Sequence, residues 1–346
     1  MFSVYKVAAS FTTAQVQADL VGLLTGTITN VANCSASCNS GASSLIRTVL
    51  PDWEMHDAAA GSGAVVLKSQ WTDDETKFKY IKLSVSGSAI RVDGFQGWNS
   101  TTHAGTDQVN LVAAQWNLAQ INASGFIIIS ASKAHLGLWA YNVNFSSTLG
   151  QGHSWVLLSE YTRDDPWNTV AAGYPSWLMT GANLVSAYSS YVGGVMDVYS
   201  GGATARVYNI TTGQDVANFS WYTLNAPTAY AMYLRPYSVL QTPIASPAPY
   251  DLPNMMGNSL GYAAVDANKA PATFIYPISL VKGNDTTRLN SLFLGGNMSS
   301  KSNMVFMTKI GRGNNLDEIQ LGSDLFSLVT CYGYNGYGAT LALRKV

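Results

Sequence analysis

Two hydrophobic periods divide this chain. Near its start, residues 3–8 read as a short strand, and then Val16, Leu20, Leu23 and Leu24 fall at helical spacing. Thr12 or Thr13 is placed to cap that helix, and Gly26 to stop it. A looser Ser- and Gly-rich segment follows. Ser43 or Ser44 then caps a second short helix over residues 45–50, which Pro51 ends. From about Gly63 the pattern changes to that of strands. They are predicted over 64–71, 78–85, 89–95, 126–130, 135–142, 155–161, 194–199, 205–210, 229–234, 273–281, 303–310, 325–332 and 340–344. Ser86-Gly87-Ser88 joins two of them as a hairpin, and Phe-Ile-Ile-Ile-Ser at 126–130 is the strongest buried strand.

Turn residues separate nearly all of these runs, and few helical patterns are long enough for βαβ crossovers. The fold class implied is mainly β: antiparallel β-sandwich or jelly-roll-like units with a small N-terminal helical segment. Residues 243–253 read PIASPAPYDLP, a proline density that no central strand accommodates. The expected organisation is therefore an N-terminal arm over 1–58, a main β domain over 59–242, a linker over 243–256 and a C-terminal β unit over 257–346.

Charge changes the picture most. Only 11% of the 346 residues are Asp, Glu, Lys or Arg, and the formal net charge is -1; ordinary domains carry about 25% charged residues. Ser, Thr, Asn, Gly, Tyr and Trp take the place of charge. Such a surface repels neighbouring copies weakly and suits a subunit covered by others. No basic cluster offers a footprint for nucleic acid. Lys77, Lys79 and Lys82 form the densest group and alternate with Phe78, Tyr80 and Ile81, the pattern of a solvated strand face. The long uncharged stretches are broken by Asn, Gln, Pro or Gly, so no membrane span is expected. The start, MFSVYKVAASFTT, does not read as a secretory signal.

Candidate chemistry is sparse. Gly257-Asn258-Ser259-Leu260-Gly261 matches the nucleophile-elbow pattern, but a proline-rich stretch precedes it and no histidine follows it. His56, His103, His135 and His153 lack the spacing of a helical zinc site and read as structural. Asp73, Asp74 and Glu75 read as a solvated turn, with oxygen ligation of Ca²⁺ as the alternative. Asp164-Asp165-Pro166-Trp167 is a second turn. Cys34 and Cys38 read as two thiols, with a local disulfide or half of a metal site as alternatives; the third cysteine is Cys331. The sequons, Asn99 and Asn297 among them, reflect an Asn-, Ser- and Thr-rich composition. No catalytic, cofactor or metal residue is selected. Tyr332, Tyr334 and Tyr337, spaced by glycines in CYGYNGYG, are the candidate contact surface, for another subunit or for a sugar ring.

Three stretches carry a resemblance. EYTRDDPWNTVAAGYPSW (160–177), FKYIKLSVSGSAIRVDGFQGWN (78–99) and the closing TLALRKV resemble segments of virion structural proteins of tailed bacteriophages. The resemblance implies a non-enzymatic, multi-copy subunit of the tail, baseplate, neck or capsid exterior, assembled in the bacterial cytoplasm. Its implied partners are other copies of itself and other virion proteins, with no cofactor. A carbohydrate- or receptor-binding β module and a polysaccharide hydrolase are the alternative functions.

Overall fold

The computed structural model describes residues 1–38, 52–108, 114–119, 121, 125–141, 153–163, 176–183, 204–209, 214–220, 231–236, 275–276, 278–283, 296–297, 301–308, 316–332 and 338–345. The chain is mainly β, with antiparallel sheets and one helix near its N-terminus. In order come β1 (Phe2–Lys6), the helix α1 (Thr13–Leu24), β2 (Glu54–Asp57), β3 (Ala64–Gln70), β4 (Phe78–Ser86), β5 (Ala89–Asn99), β6 (Ala104–Gln108) and β7 (Ala114–Asn117). Next are β8 (Phe126–Ser132), β9 (His135–Tyr141), β10 (His153–Arg163), β11 (Ser176–Asn183), β12 (Thr204–Asn209), β13 (Gln214–Ser220) and β14 (Ala231–Pro236). The last are β15 (Ile275–Tyr276), β16 (Ile278–Gly283), β17 (Gly296–Asn297), β18 (Val305–Thr308), β19 (Glu318–Leu321), β20 (Asp324–Tyr332) and β21 (Gly338–Arg344). The helix expected at 45–50, the strand at 194–199 and the linker at 243–256 lie outside the described residues.

Local chemistry accounts for the elements. Thr12 closes a capping box: its hydroxyl accepts from Gln15 N, and the Gln15 side chain accepts from Thr12 N. Gly26, just past the helix, sits at φ 74, where a Cβ would be strained. Two-residue loops close three hairpins, at Ser86↔Ala89, Ser132↔His135 and Leu321↔Asp324. Gly87 and Gly322 supply the positive φ that two of those loops need.

The first sheet runs β2-β3-β4-β5-β6, with β7 also on β5. The second runs β1-β8-β9-β10-β17-β16-β14, with β11 also on β10. They pack face to face. Leu67, Ile81, Leu83, Ile90, Val92 and Trp116 of the first meet Ile127, Ile129, Leu136, Leu138, Val156 and Leu158 of the second in one core. Helix α1 seals this core with Val16, Leu20, Leu23 and Leu24. Each such side chain contributes about 1.5–3 kcal/mol by leaving water.

The second sheet is buried on its other face as well, where Phe2, Ile128, Trp139, Trp155 and Leu157 are covered. A third sheet, β15-β18-β21-β20-β19, borders it: Lys345 Nζ of that sheet's C-terminal end lies 5.7 Å from the Phe2 ring centroid. The double burial of β9 explains its glycine. A Cβ on Gly137 would meet the Trp139 ring at 2.2 Å, and Trp139 is itself 1% exposed and cannot move aside. Gly137→Ala is expected to destabilise the protein by about 1–3 kcal/mol in urea denaturation.

Candidate functional site

Strand alternation brings two opposite charges to the same place in the core. On β4, Lys79 shares the inward face with Ile81 and Leu83; on β10, Glu160 shares it with Val156 and Leu158. The two strands belong to different sheets, so the side chains meet across the sandwich. Lys79 Nζ stands 2.6 Å from Glu160 Oε1, and both side chains are 0% exposed. The solvated strand face expected for Lys79 is therefore corrected. Lys77, before β4, is exposed and Lys82 is half-buried, but within β4 Lys79 points inward because its parity is that of Ile81 and Leu83.

The remaining hydrogen-bonding capacity of the pair is largely met. Lys79 Nζ also donates to the Gln70 carbonyl at 2.5 Å. Thr72 N–H donates to Glu160 Oε2 at 3.3 Å, and the Thr72 hydroxyl donates to the same oxygen. Trp71 and Trp53 wall the ammonium, with ring centroids 5.2 and 5.8 Å from Nζ. Trp53 is fixed by its own N–H, which donates to the Ser132 carbonyl at 3.1 Å. Burial pulls Lys79 down from 10.5 to about 8, against the opposing pull of Glu160.

Beside this pair stands His135, on the opposite face of the second sheet. Its Nε2 is 2.9 Å from Ser130 Oγ and its Nδ1 is 2.8 Å from Ser132 Oγ. Burial, followed by the nearby N-terminal amine, pushes the imidazole down to about 3, so it is neutral. A fully enclosed neutral ring between two hydroxyls orders the β8–β9 hairpin.

The acidic turn between β3 and β4 has a different partner for each carboxylate. Asp73 pairs with Lys301, Asp74 with Lys77 at 2.9 Å and Glu75 with Lys133 at 3.0 Å. Asp74 also accepts from Thr76 N and Oγ1, and these bonds with Lys77 lower its carboxyl to about 2. Among the described residues no group of His, Cys, Asp and Glu is arranged to hold a metal ion.

A further polar cluster lies at the rim of the first sheet. Asp57 accepts from His103 Nδ1 at 2.8 Å, Trp98 Nε1 at 2.9 Å and Ala59 N at 2.9 Å, and these bonds lower it from 3.8 to about 2. His103 holds this position at φ 53 in the loop between β5 and β6. On the same sheet, Lys82 lies 5.6 Å from the Trp98 ring centroid, and Tyr80 packs 5.0 Å from the His56 ring.

Of the predicted contact tyrosines, Tyr332 ends β20 opposite Gly338. Tyr334 and Tyr337 lie outside the described residues, as do the 257–261 motif and the 164–167 turn. His153 begins β10, paired with Tyr141. Cys34 and Cys38 are not disulfide-bonded. Cys34 is buried, and burial reinforced by Asp19 pushes its thiol up to about 12, so it is a poor nucleophile. Asp19 accepts from Ser35 N, Ser35 Oγ and Ala36 N at 2.7–3.0 Å, tying the cysteine segment to α1. No described helix is long and apolar enough to cross a membrane.

Glu160→Ala leaves an unpaired buried ammonium, whereas Lys79→Met with Glu160→Leu leaves no charge. The double variant is expected to exceed Glu160→Ala in unfolding free energy by about 3 kcal/mol, read by chemical denaturation. Asp57 sets an acid limit. Its folded value lies below its unfolded one, so its contribution is present above 3.8 and is lost as pH falls toward 2. Melting temperatures across that window are expected to fall less steeply for Asp57→Asn than for the parent chain.

No protein-family model matches this chain, and no curated protein matches it.

Proposed function

We propose that this chain is a non-enzymatic structural subunit of a tailed-phage virion, assembling in multiple copies with itself and with other virion proteins through low-charge β surfaces. The observation that supports this reading is where its few charges go. Lys79–Glu160, Lys133–Glu75 and Lys301–Asp73 join residues from separate parts of the chain, Lys345–Glu318 joins β19 to the residue after β21, and Arg344–Asp324 links the neighbouring strands β20 and β21. Lys68–Glu54 links neighbouring strands, and Arg91–Asp93 lies along one strand. With a net charge of -1, and with these ions of the described residues paired within the fold, the subunit carries little charge with which to repel a copy of itself.

Faces of this kind lose little on desolvation, and many small polar and aromatic contacts add up over a large interface. The phage setting rests on the resemblance of residues 78–99, 160–177 and 340–346 to virion proteins. Copies of this chain would then fill a mechanical role, with sheets stiffened internally and neutral faces left for neighbours.

Light scattering behind size-exclusion chromatography tests the assembly reading. Multiples of 37.0 kDa that grow with concentration are expected. They should persist in high salt, since screening removes charge–charge contacts and leaves uncharged ones. A monodisperse monomer at high concentration overturns it. Mass spectrometry of purified virions then tests the setting by the presence of this chain.

A further inference from the structure

We propose that Lys79 and Glu160 condense into an intramolecular isopeptide bond that joins the two sheets of the sandwich covalently. The geometry brings the reacting groups together in a dry, hydrogen-bonded site. Nucleophile and acyl group face one another at 2.6 Å, Nζ to Oε1, with no solvent access to either side chain. Their strands are held by the sheets on both sides, so the encounter is intramolecular and continuous. Such fixed pairs reach effective concentrations on the order of 10⁵ M or more.

The step is balanced within the pair. A proton passes from Nζ along the short hydrogen bond to Oε1, leaving a neutral amine facing a carboxylic acid. The carboxyl group turns about its Cγ–Cδ bond, and the Nζ lone pair forms a bond to Cδ. The carbonyl π electrons move onto Oε2, which already accepts from the Thr72 N–H at 3.3 Å and from the Thr72 hydroxyl. Those two donors act as an oxyanion hole. Oε1 takes a second proton from Nζ, the electron pair on Oε2 re-forms the Cδ–Oε2 double bond, the Cδ–Oε1 bond breaks and Oε1 leaves as water. The third proton stays on the amide nitrogen, which faces the Gln70 carbonyl now 2.5 Å from Nζ. No redox change occurs and no further reactant is consumed.

The surroundings favour the product. Condensation removes two opposite charges from a dry site, where each is costly to hold. Trp53 and Trp71 flank the reacting nitrogen, their ring centroids 5.8 and 5.2 Å from Nζ, in an apolar setting that disfavours the charged reactants. Burial also lowers Lys79 to about 8, which brings the neutral amine within reach near neutral pH. Formation requires only the folded chain, so a monomer forms the bond as readily as an assembly does, and this test fails or succeeds separately from that of the assembly reading.

The test is the mass of the folded, purified full chain after complete denaturation and reduction. The expected result is a species lighter than the sequence mass by one water. In a tryptic digest Lys79 should be uncut, and the peptides bearing Lys79 and Glu160 should travel as one branched species. Lys79→Met should run at its full sequence mass, folded or not. A parent chain at full mass, cut by trypsin after Lys79, overturns the proposal. So does a lost water that fragmentation places anywhere other than between these two residues.

Discussion

A charge placed between two β-sheets must find its counter-charge there, and this constraint organises the sandwich. Lys79 and Glu160 come from opposite sheets and have no exposure to water. Either alone would be strongly destabilising at that depth. Together, and only in one register of β4 against β10, they satisfy each other, the Gln70 carbonyl and Thr72. Apolar side chains such as Leu83 and Leu158 tolerate small slides of one sheet over another. An ion pair in a dry site does not, so the pair fixes alignment where the hydrophobic core supplies most of the free energy.

The same end of the sandwich is fastened repeatedly. The turn after β3 contributes Thr72 to the buried carboxylate and then sends Asp73 and Glu75 to lysines from two other parts of the chain. Lys133 comes from the β8–β9 loop and Lys301 from just before β18. Exposed ion pairs of this kind are individually weak, about 0–1 kcal/mol. Their joint effect is geometric: one short turn touches the second sheet and the segment leading into the third. A chain with so few charges has concentrated several of them at one junction.

Much of this architecture was legible in the sequence, because local chemistry decides it. Thr12 or Thr13 marks the helix start, Gly87 marks a hairpin and the apolar run at 126–130 marks a buried strand. The junction was not legible. Lys79 stands among Lys77 and Lys82, and composition alone assigns such a group to solvent. The contrary signal was parity: Lys79 shares the period of Ile81 and Leu83 just as Glu160 shares that of Leu158 and Val156. Parity shows that a charge points inward but not what it meets, and the partner lies 81 residues away. The face-to-face placement of sheets that joins them follows from tertiary packing, which no window of the sequence contains.

Strand β1 pairs with β8, Phe2 against Ser130 and Lys6 against Phe126. β1 therefore lacks its sheet partner until the chain has been extended past β8. Closing so long a loop is slow compared with forming the neighbouring hairpins. During synthesis Phe2, Val4 and Tyr5 wait with an unpaired backbone, while β3, β4 and β5 can already zip together. Final seating of β1 is thus a late event, and the nascent chain carries an unsatisfied strand for as long as translation takes to supply its complement.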